Sequence, residues 1–146
     1  MDSTDWAILD ELQRDCRISF SELGRRVHMS SPAVTERVRR LEQAGVITGY
    51  HAAVDLLATG WPVLALVRMR CFGPRCVLQH LDEVTDSPHV LEVHRITGDV
   101  CCELKVAATS MADFEATVDR LAEYGQPSST LILSSPKTAG AVQRPH

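Results

Sequence analysis

Apolar positions in the first fifty residues recur every three or four places. Ile8, Leu9 and Leu12 form one stripe and predict a helix over residues 4–14, with Thr4 as N-cap and Asp5 in the first turn. Ser19-Phe20-Ser21-Glu22 has the form of a capping box and opens a shorter helix, with Leu23 and Val27 four apart on one face. His28-Met29-Ser30 is a brief break. Ser30 then caps a third helix, and Pro32 is tolerated in its first turn because the missing N–H would be unpaired anyway. Val34, Val38 and Leu41 make its inward stripe, and Gly45 stands where a left-handed terminator belongs. Three short helices with a tight break before the third read as a helix-turn-helix. Val46 to Val54 has the alternation of a small hairpin or a departing strand. The stretch from Leu56 to Pro62, with Gly60, is the expected linker.

Beyond residue 62 the period changes from helical to two. Val63 to Phe72 alternates, with Val63, Ala65, Val67, Met69 and Cys71 on one face and Leu64, Leu66, Arg68 and Arg70 on the other. Pro74 opens a helix striped by Val77, Leu78, Leu81 and Val84. Val90–Ile96 and Val100–Ala107 read as strands joined by the turn dipeptide Gly98-Asp99. A two-residue loop pairs Thr97 with Val100, hence Val93 with Leu104 and Leu91 with Val106 on one face. His94 then meets Glu103, and Glu92 meets Lys105, on the other. Ser110-Met111-Ala112-Asp113 starts a last helix striped by Met111, Phe114, Val118 and Leu121, and Thr130–Leu133 is a final strand.

The order βαββαβ is ferredoxin-like, so the fold class is α+β. Residues 1–50 are the helix-turn-helix domain, 51–62 strand and linker, 63–136 the ferredoxin-like domain and 137–146 a loose tail. Two helices cover only one face of such a sheet. The other face mixes Leu64, Leu66, Ile96 and Cys101 with Arg68, Arg70, Glu92, His94, Glu103 and Lys105. It is too apolar to stay open and too charged for a core, which points to pairing with a second copy.

Composition narrows the function classes. The chain has 146 residues, 23% of them charged and 45% hydrophobic, and a formal charge of −4, which is globular rather than disordered. Charges interrupt every apolar run, so no membrane span is expected, and the acidic N-terminus has no following signal-peptide stretch. The expected location is the cytoplasm. Five cysteines, odd in number and without CxxC spacing, fit reduced thiols better than a disulfide framework. Within this acidic chain, residues 17–40 carry six arginines against Glu22 and Glu36. A solvated helical face would account for that excess alone, but on a helix-turn-helix it reads as a nucleic-acid footprint.

On the third helix the face opposite the apolar stripe centres on Pro32, Glu36, Arg39 and Gln43, flanked by Thr35 and Arg40. Ser31 and Thr35 can approach base edges, while Arg39 and Arg40 suit guanine or phosphate. Arg25 and Arg26 are candidates for phosphate. Arg37 lies beside the stripe and is placed to brace a neighbouring helix. No nucleophile elbow, phosphate loop or zinc-protease motif occurs, so no catalytic residue and no enzyme activity is expected. His94 lies near Cys101 and Cys102, yet adjacent strand residues face opposite ways, so those two thiols do not share an ion and no metal site is expected.

Several segments resemble one family. Met1 to Leu9 resembles the opening L-D-x-x-D-x-x-I-L of the leucine-responsive/asparagine regulators (Lrp/AsnC), and Arg17 to Leu23 is similar to their R-I-S-x-x-E-L. Met29-Ser30, Val34, Arg37-Val38, Arg40-Leu41-Glu42 and Gly45 to Tyr50 are similar to the family's recognition segment. The resemblance spans nearly the whole chain. It implies a winged helix-turn-helix joined to a ferredoxin-like regulatory domain that forms dimers, often octamers, with small effectors, frequently amino acids, between regulatory domains. The family's effector loop resembles T-G-D-x-D-x-L-L-x-V, and here Thr97, Gly98 and Asp99 match. Cys101 replaces the second Asp and Glu103 a Leu, which leaves room for a ligand favouring a softer or less polar contact, or for none. By that resemblance Thr97, Gly98, Asp99, Val100, Cys101 and Thr130 are the candidate effector residues, with no other cofactor.

The function expected from the sequence is therefore sequence-specific DNA binding by a transcriptional regulator under effector control. Two helices of a dimer would read half-sites about one turn apart in a palindromic operator. The alternative is a small-molecule-binding interaction module whose helix-turn-helix contacts protein.

Overall fold

The computed structural model describes residues 1–145, and these divide into two units, Met1–Ala52 with the C-terminal segment from Lys137, and Ala53–Pro136. Helices α1 (Ser3–Arg14), α2 (Phe20–Arg26) and α3 (Ser31–Gln43) make the first. Their stripes converge: Ile8, Leu9, Leu12, Leu23, Val34, Val38 and Leu41 form its core, with Trp6, Ile18, Val27, Met29 and Ile47 packed around it. The inward residues are those the helical period selects.

The caps are partly different. Asp2, not Thr4, caps α1: its carboxylate accepts from Asp5 N–H at 2.8 Å, and the Asp5 carboxylate accepts from Asp2 N–H at 2.9 Å. Aspartate two residues upstream completes a reciprocal box that Thr4 could not. Ser19 caps α2 by accepting from Glu22 N–H at 3.2 Å, but the return arm is missing because Arg25 and Arg26 draw the Glu22 carboxylate away. Ser30 is the N-cap of α3 without a side-chain bond. At the far end Gly45 takes φ +67°, and the amides of Val46 and Ile47 return to Leu41 O at 2.9 and 3.2 Å.

The hairpin or strand expected over Val46–Val54 does not form. Those residues carry no regular structure, because within this chain no strand lies alongside them. Tyr50 donates instead to Glu42 Oε1 at 2.9 Å. Residues 137–145 also lack regular structure, yet Gln13 holds Val142 by both of its backbone groups, donating to its C=O at 3.1 Å and accepting from its N–H at 2.6 Å.

The second unit has strands β1 (Val63–Arg70), β2 (Val90–Arg95), β3 (Cys102–Ala108) and β4 (Gln126–Leu131), with helices α4 (Leu81–Thr85) and α5 (Met111–Leu121). The antiparallel sheet order is β2-β3-β1-β4. One face is the core, where Ala65, Val67, Met69, Cys102, Leu104 and Val106 pack against Val77, Val84, Phe114 and Leu121. The register follows from the turn: Val93 pairs with Leu104, His94 with Glu103 and Glu92 with Lys105. A bulge at Leu91 breaks it once, so Val90 rather than Leu91 meets Val106.

Four boundaries differ from the sequence expectation. β2 stops at Arg95 and β3 begins at Cys102, so Ile96–Cys101 is a loop held by Ile96 N–H donating to Cys101 O at 3.3 Å. The helix expected from Pro74 shrinks to a single 3-10 turn at Val77–Gln79 and the five residues of α4. Gly73 and Pro74 instead make a reversal that brings Arg75 back against Phe72. β4 starts at Gln126, earlier than Thr130, because it continues the ladder along β1 to Arg70. Met111, placed in the α5 stripe, is 54% exposed at the helix start, and Thr117 takes a buried place.

Candidate nucleic-acid interface and effector loop

Helix α3 turns Val34, Val38 and Leu41 inward, and its outer face is consequently Pro32, Thr35, Glu36, Arg39 and Arg40, all exposed, with Ser31 half-buried at its start. The break before it is unusually close. His28 takes φ +56°, Met29 N–H donates to Gly24 O at 2.8 Å, and a side chain on Gly24 would meet Met29 O at 2.6 Å. Only glycine lets the turn pass this near to α2.

The arginines are not equivalent. Arg37 bridges to α1, donating to Asp2 at 2.8 Å and Asp5 at 2.7 Å, which fixes the azimuth of α3. Both hydrogen bonds hold its guanidinium firmly protonated, while the Asp2 carboxyl is held below the usual range first by the Asp5 N–H and then by Arg37. Arg26 donates to Glu11 at 2.7 Å and to Glu22 at 2.9 Å, and Arg25 to Glu22 at 2.6 Å. Together they pull the Glu22 carboxyl down to about 2. Arg39 is engaged by Glu36 at 2.9 Å. Of the six, Arg17 and Arg40 have no carboxylate partner among the described residues. Much of the basic patch is neutralised within its own fold, and among the described residues Arg40 is the one arginine of α3 without a carboxylate ion pair.

In the second unit Thr97, Gly98, Asp99, Val100 and Cys101 lie together in the loop between β2 and β3, with Gly98 at φ +120°. Arg70 at the end of β1 holds Asp99 by an ion pair of 2.8 Å and its carbonyl at 3.2 Å. Cys101 N–H donates to Met69 O at 2.8 Å. Beside the loop opens a cleft of about 390 Å³ lined by Arg68, Arg70, Asp99, Val100, Gln126 and Ser128. Thr130 is not part of it. It pairs with Leu66, four residues along β1 from Arg70, on the same open face. The sequence placed Arg70 on the open face but did not join it to the loop, because it meets Asp99 only once the strands have packed. Its place in the charged row of β1 was the available signal.

The open face is laced by ion pairs, Arg68 to Glu103 at 2.9 Å and Lys105 to Glu92 at 2.8 Å, and by a hydrogen bond between His94 and Glu92 at 2.9 Å. His94 therefore turns along its own strand rather than to Glu103 opposite. The thiols are also arranged differently from expectation. Cys71 and Cys76 are joined as a disulfide, the reversal at Gly73 having brought their Cα atoms to 5.0 Å. Cys102 is buried in the core, whereas Cys101 lies beside Cys71, whose N–H points at its sulfur at 3.1 Å. Among the described residues no helix is long and apolar enough to cross a membrane.

The chain's similarities agree with this architecture. Residues 1–42 match the AsnC-type helix-turn-helix domain and residues 65–142 the Lrp/AsnC ligand binding domain. The HTH-type transcriptional regulator YezC of Bacillus subtilis is 39% identical over 135 residues, 92% of this chain and 95% of that protein. The solved structure of B. subtilis LrpC superposes with a TM-score of 0.88 at 33% identity, over 95% of this chain and 99% of that one. A transcriptional regulator of Neisseria meningitidis, solved in complex with L-methionine, has a TM-score of 0.89 at 26% identity over 97% and 96% of the two chains. A helix-turn-helix with an outward-facing third helix, a four-stranded antiparallel regulatory domain and relatives matched from end to end place this chain in the Lrp/AsnC family of DNA-binding transcriptional regulators.

Proposed function

We propose that α3 enters the major groove of a palindromic operator as one of a pair, and that a free amino acid acting on the regulatory domain sets the affinity. The observation that carries this reading is the outer face of α3. Ser31, Pro32, Thr35 and Glu36 stand at the end that would meet base edges, Arg39 and Arg40 further along, and Arg40 makes no carboxylate ion pair among the described residues. Arg25 and Arg26 serve phosphates, which compete with Glu22 and Glu11 for their guanidinia. The effector reading rests on Thr97, Gly98, Asp99, Val100 and Cys101 beside Arg70, with Thr130 further along the same face. An amino acid carries both charges, and Arg70 with Asp99 presents the complement of each. Leu64, Leu66 and Thr130 on the open sheet face support pairing with a second copy, and the family resemblance extends this to an octamer. The protein works in the cytoplasm and catalyses no reaction. An effector acts by binding one arrangement of the assembly more tightly than another.

The test is fluorescence anisotropy with the duplex upstream of the protein's own gene, an unrelated duplex as control, a salt titration and a panel of amino acids. Selective binding that falls steeply with salt and shifts with one amino acid is expected. Equal weak binding to both duplexes at every salt concentration, with and without the panel, would refute it.

A further inference from the structure

Three sulfurs from separate stretches of the regulatory unit meet where β1 ends. Cys71 follows β1, Cys76 returns after the Gly73-Pro74 reversal, and Cys101 closes the loop before β3. Their sulfur atoms all lie within 4.8 Å of one another. The register of β1 on β3 makes the third member, since Met69 stands opposite Cys102 and so sets Cys101 beside the residues that follow. Three thiolates bound to one ion at about 2.3 Å stand roughly 4 Å apart. Once their bond is reduced, Cys71 and Cys76 must move apart from bonding distance to that spacing, while Cys101, within 4.8 Å of both, needs to close by less than about 1 Å.

We propose that the reduced protein binds one soft, thiophilic d10 cation through the thiolates of Cys71, Cys76 and Cys101. Thiolate sulfur selects monovalent copper and zinc-like ions over hard cations, and no carboxylate stands in the cluster to favour magnesium or calcium. Each of the three side chains is only half-buried, so an ion has access. The chemistry balances in two steps. A thiol reductant first gives two electrons and two protons to the Cys71–Cys76 bond and is itself oxidised to a disulfide. The three thiols then lose three protons as the ion binds. Cys102 takes no part, because it faces the core and is fully buried there. Occupancy clamps the Ile96–Cys101 loop to the end of β1. The site stands independently of the amino-acid reading, because ion binding is read on the protein alone.

The full chain, reduced with a phosphine under anaerobic conditions and desalted, is titrated with Cd2+ as the thiolate-reporting probe, with Zn2+ and Cu(I) in parallel arms. The expected result is an ultraviolet sulfur-to-metal band saturating at one equivalent. Cys71→Ser, Cys76→Ser and Cys101→Ser should each weaken binding by more than about tenfold, and Cys16→Ser should not. X-ray absorption on the wild-type Cd2+ complex counts the sulfurs without any variant, and three are expected. No saturable band, fewer than three sulfurs, or a band that survives in both Cys76→Ser and Cys101→Ser overturns the proposal. Displacement by Zn2+ or by Cu(I) identifies which ion the site prefers.

Discussion

The turn between α2 and α3 decides how the recognition helix is presented, and Gly24 is its tightest point. Replacing Gly24 with Ala sets two effects against each other. In a helix interior alanine is favoured over glycine by about 0.5–1 kcal/mol. Against this, the new Cβ lies 2.6 Å from Met29 O, with Ser30 C and Ser31 N next at 3.5 Å. An ordinary carbon–oxygen contact needs about 3.3 Å, so the turn must move by roughly 0.7 Å. The obstacle is backbone, and the Met29 N–H bond to Gly24 O ties it to the same residue, so it cannot swing aside as a side chain would. Overpacking of this kind costs about 1–3 kcal/mol, which exceeds the helical gain. The net loss of about 1–2 kcal/mol should lower the first unit's melting temperature by about 4–8 °C for each kcal/mol. Calorimetry of the intact chain measures that shift, and operator affinity measured well below the transition should fall as well because Ser31 opens α3. An unchanged or raised melting temperature would show that helix propensity outweighs the contact, and the account of the turn would be wrong.

Four further outcomes are expected. Arg40→Ala should weaken specific operator binding by about 5- to 150-fold in the anisotropy assay, since Arg40 has no internal partner to leave behind. Glu22 is ordinarily at 4.5 and is held at about 2 by Arg25 and Arg26, so its contribution is complete above pH 4.5 and is lost as pH falls toward 2. Glu22→Gln should flatten the melting profile across that window, weakly and less so at high salt because the pair is exposed. Leu104→Ala empties the centre of the regulatory core and should cost about 2–5 kcal/mol by denaturant unfolding. A maleimide reagent at neutral pH should label exposed Cys16 quickly and Cys102 only on unfolding, as mass spectrometry of the labelled chain would show.

The exposed face of α3 was legible because it is the complement of a stripe. Once Val34, Val38 and Leu41 point inward, helical geometry leaves Pro32, Thr35, Glu36, Arg39 and Arg40 outside. The β2–β3 register was legible for a similar reason, since one turn and a period of two assign the partners, though the bulge at Leu91 and the end of the ladder at Arg95 and Cys102, short of Thr97 and Val100, escaped it. The loop at Thr97–Cys101 was singled out through its likeness to a family pattern, not through any periodicity, and its effector role is the proposal made above. Boundaries fared worse. The shortened α4 and the early start of β4 depend on neighbouring strands and a reversal that no local pattern encodes.

What the sequence determined by itself was thus the set of relations between residues a few places apart: stripes, strand faces, the terminator at Gly45 and the excess of arginine. Tertiary structure alone decided which charges are spent and which remain free. Arg37 meets Asp2 and Asp5 across more than thirty residues, Arg26 meets Glu11, and Arg70 meets Asp99, so that Arg40 is left available. It also gathered Cys71, Cys76 and Cys101, which are unrelated by spacing. The physical reason is common to all of these. Short-range periodicity comes from backbone geometry and is written in order along the chain. Ion pairs and sulfur clusters are set by distances of a few ångströms that exist only after the elements have packed.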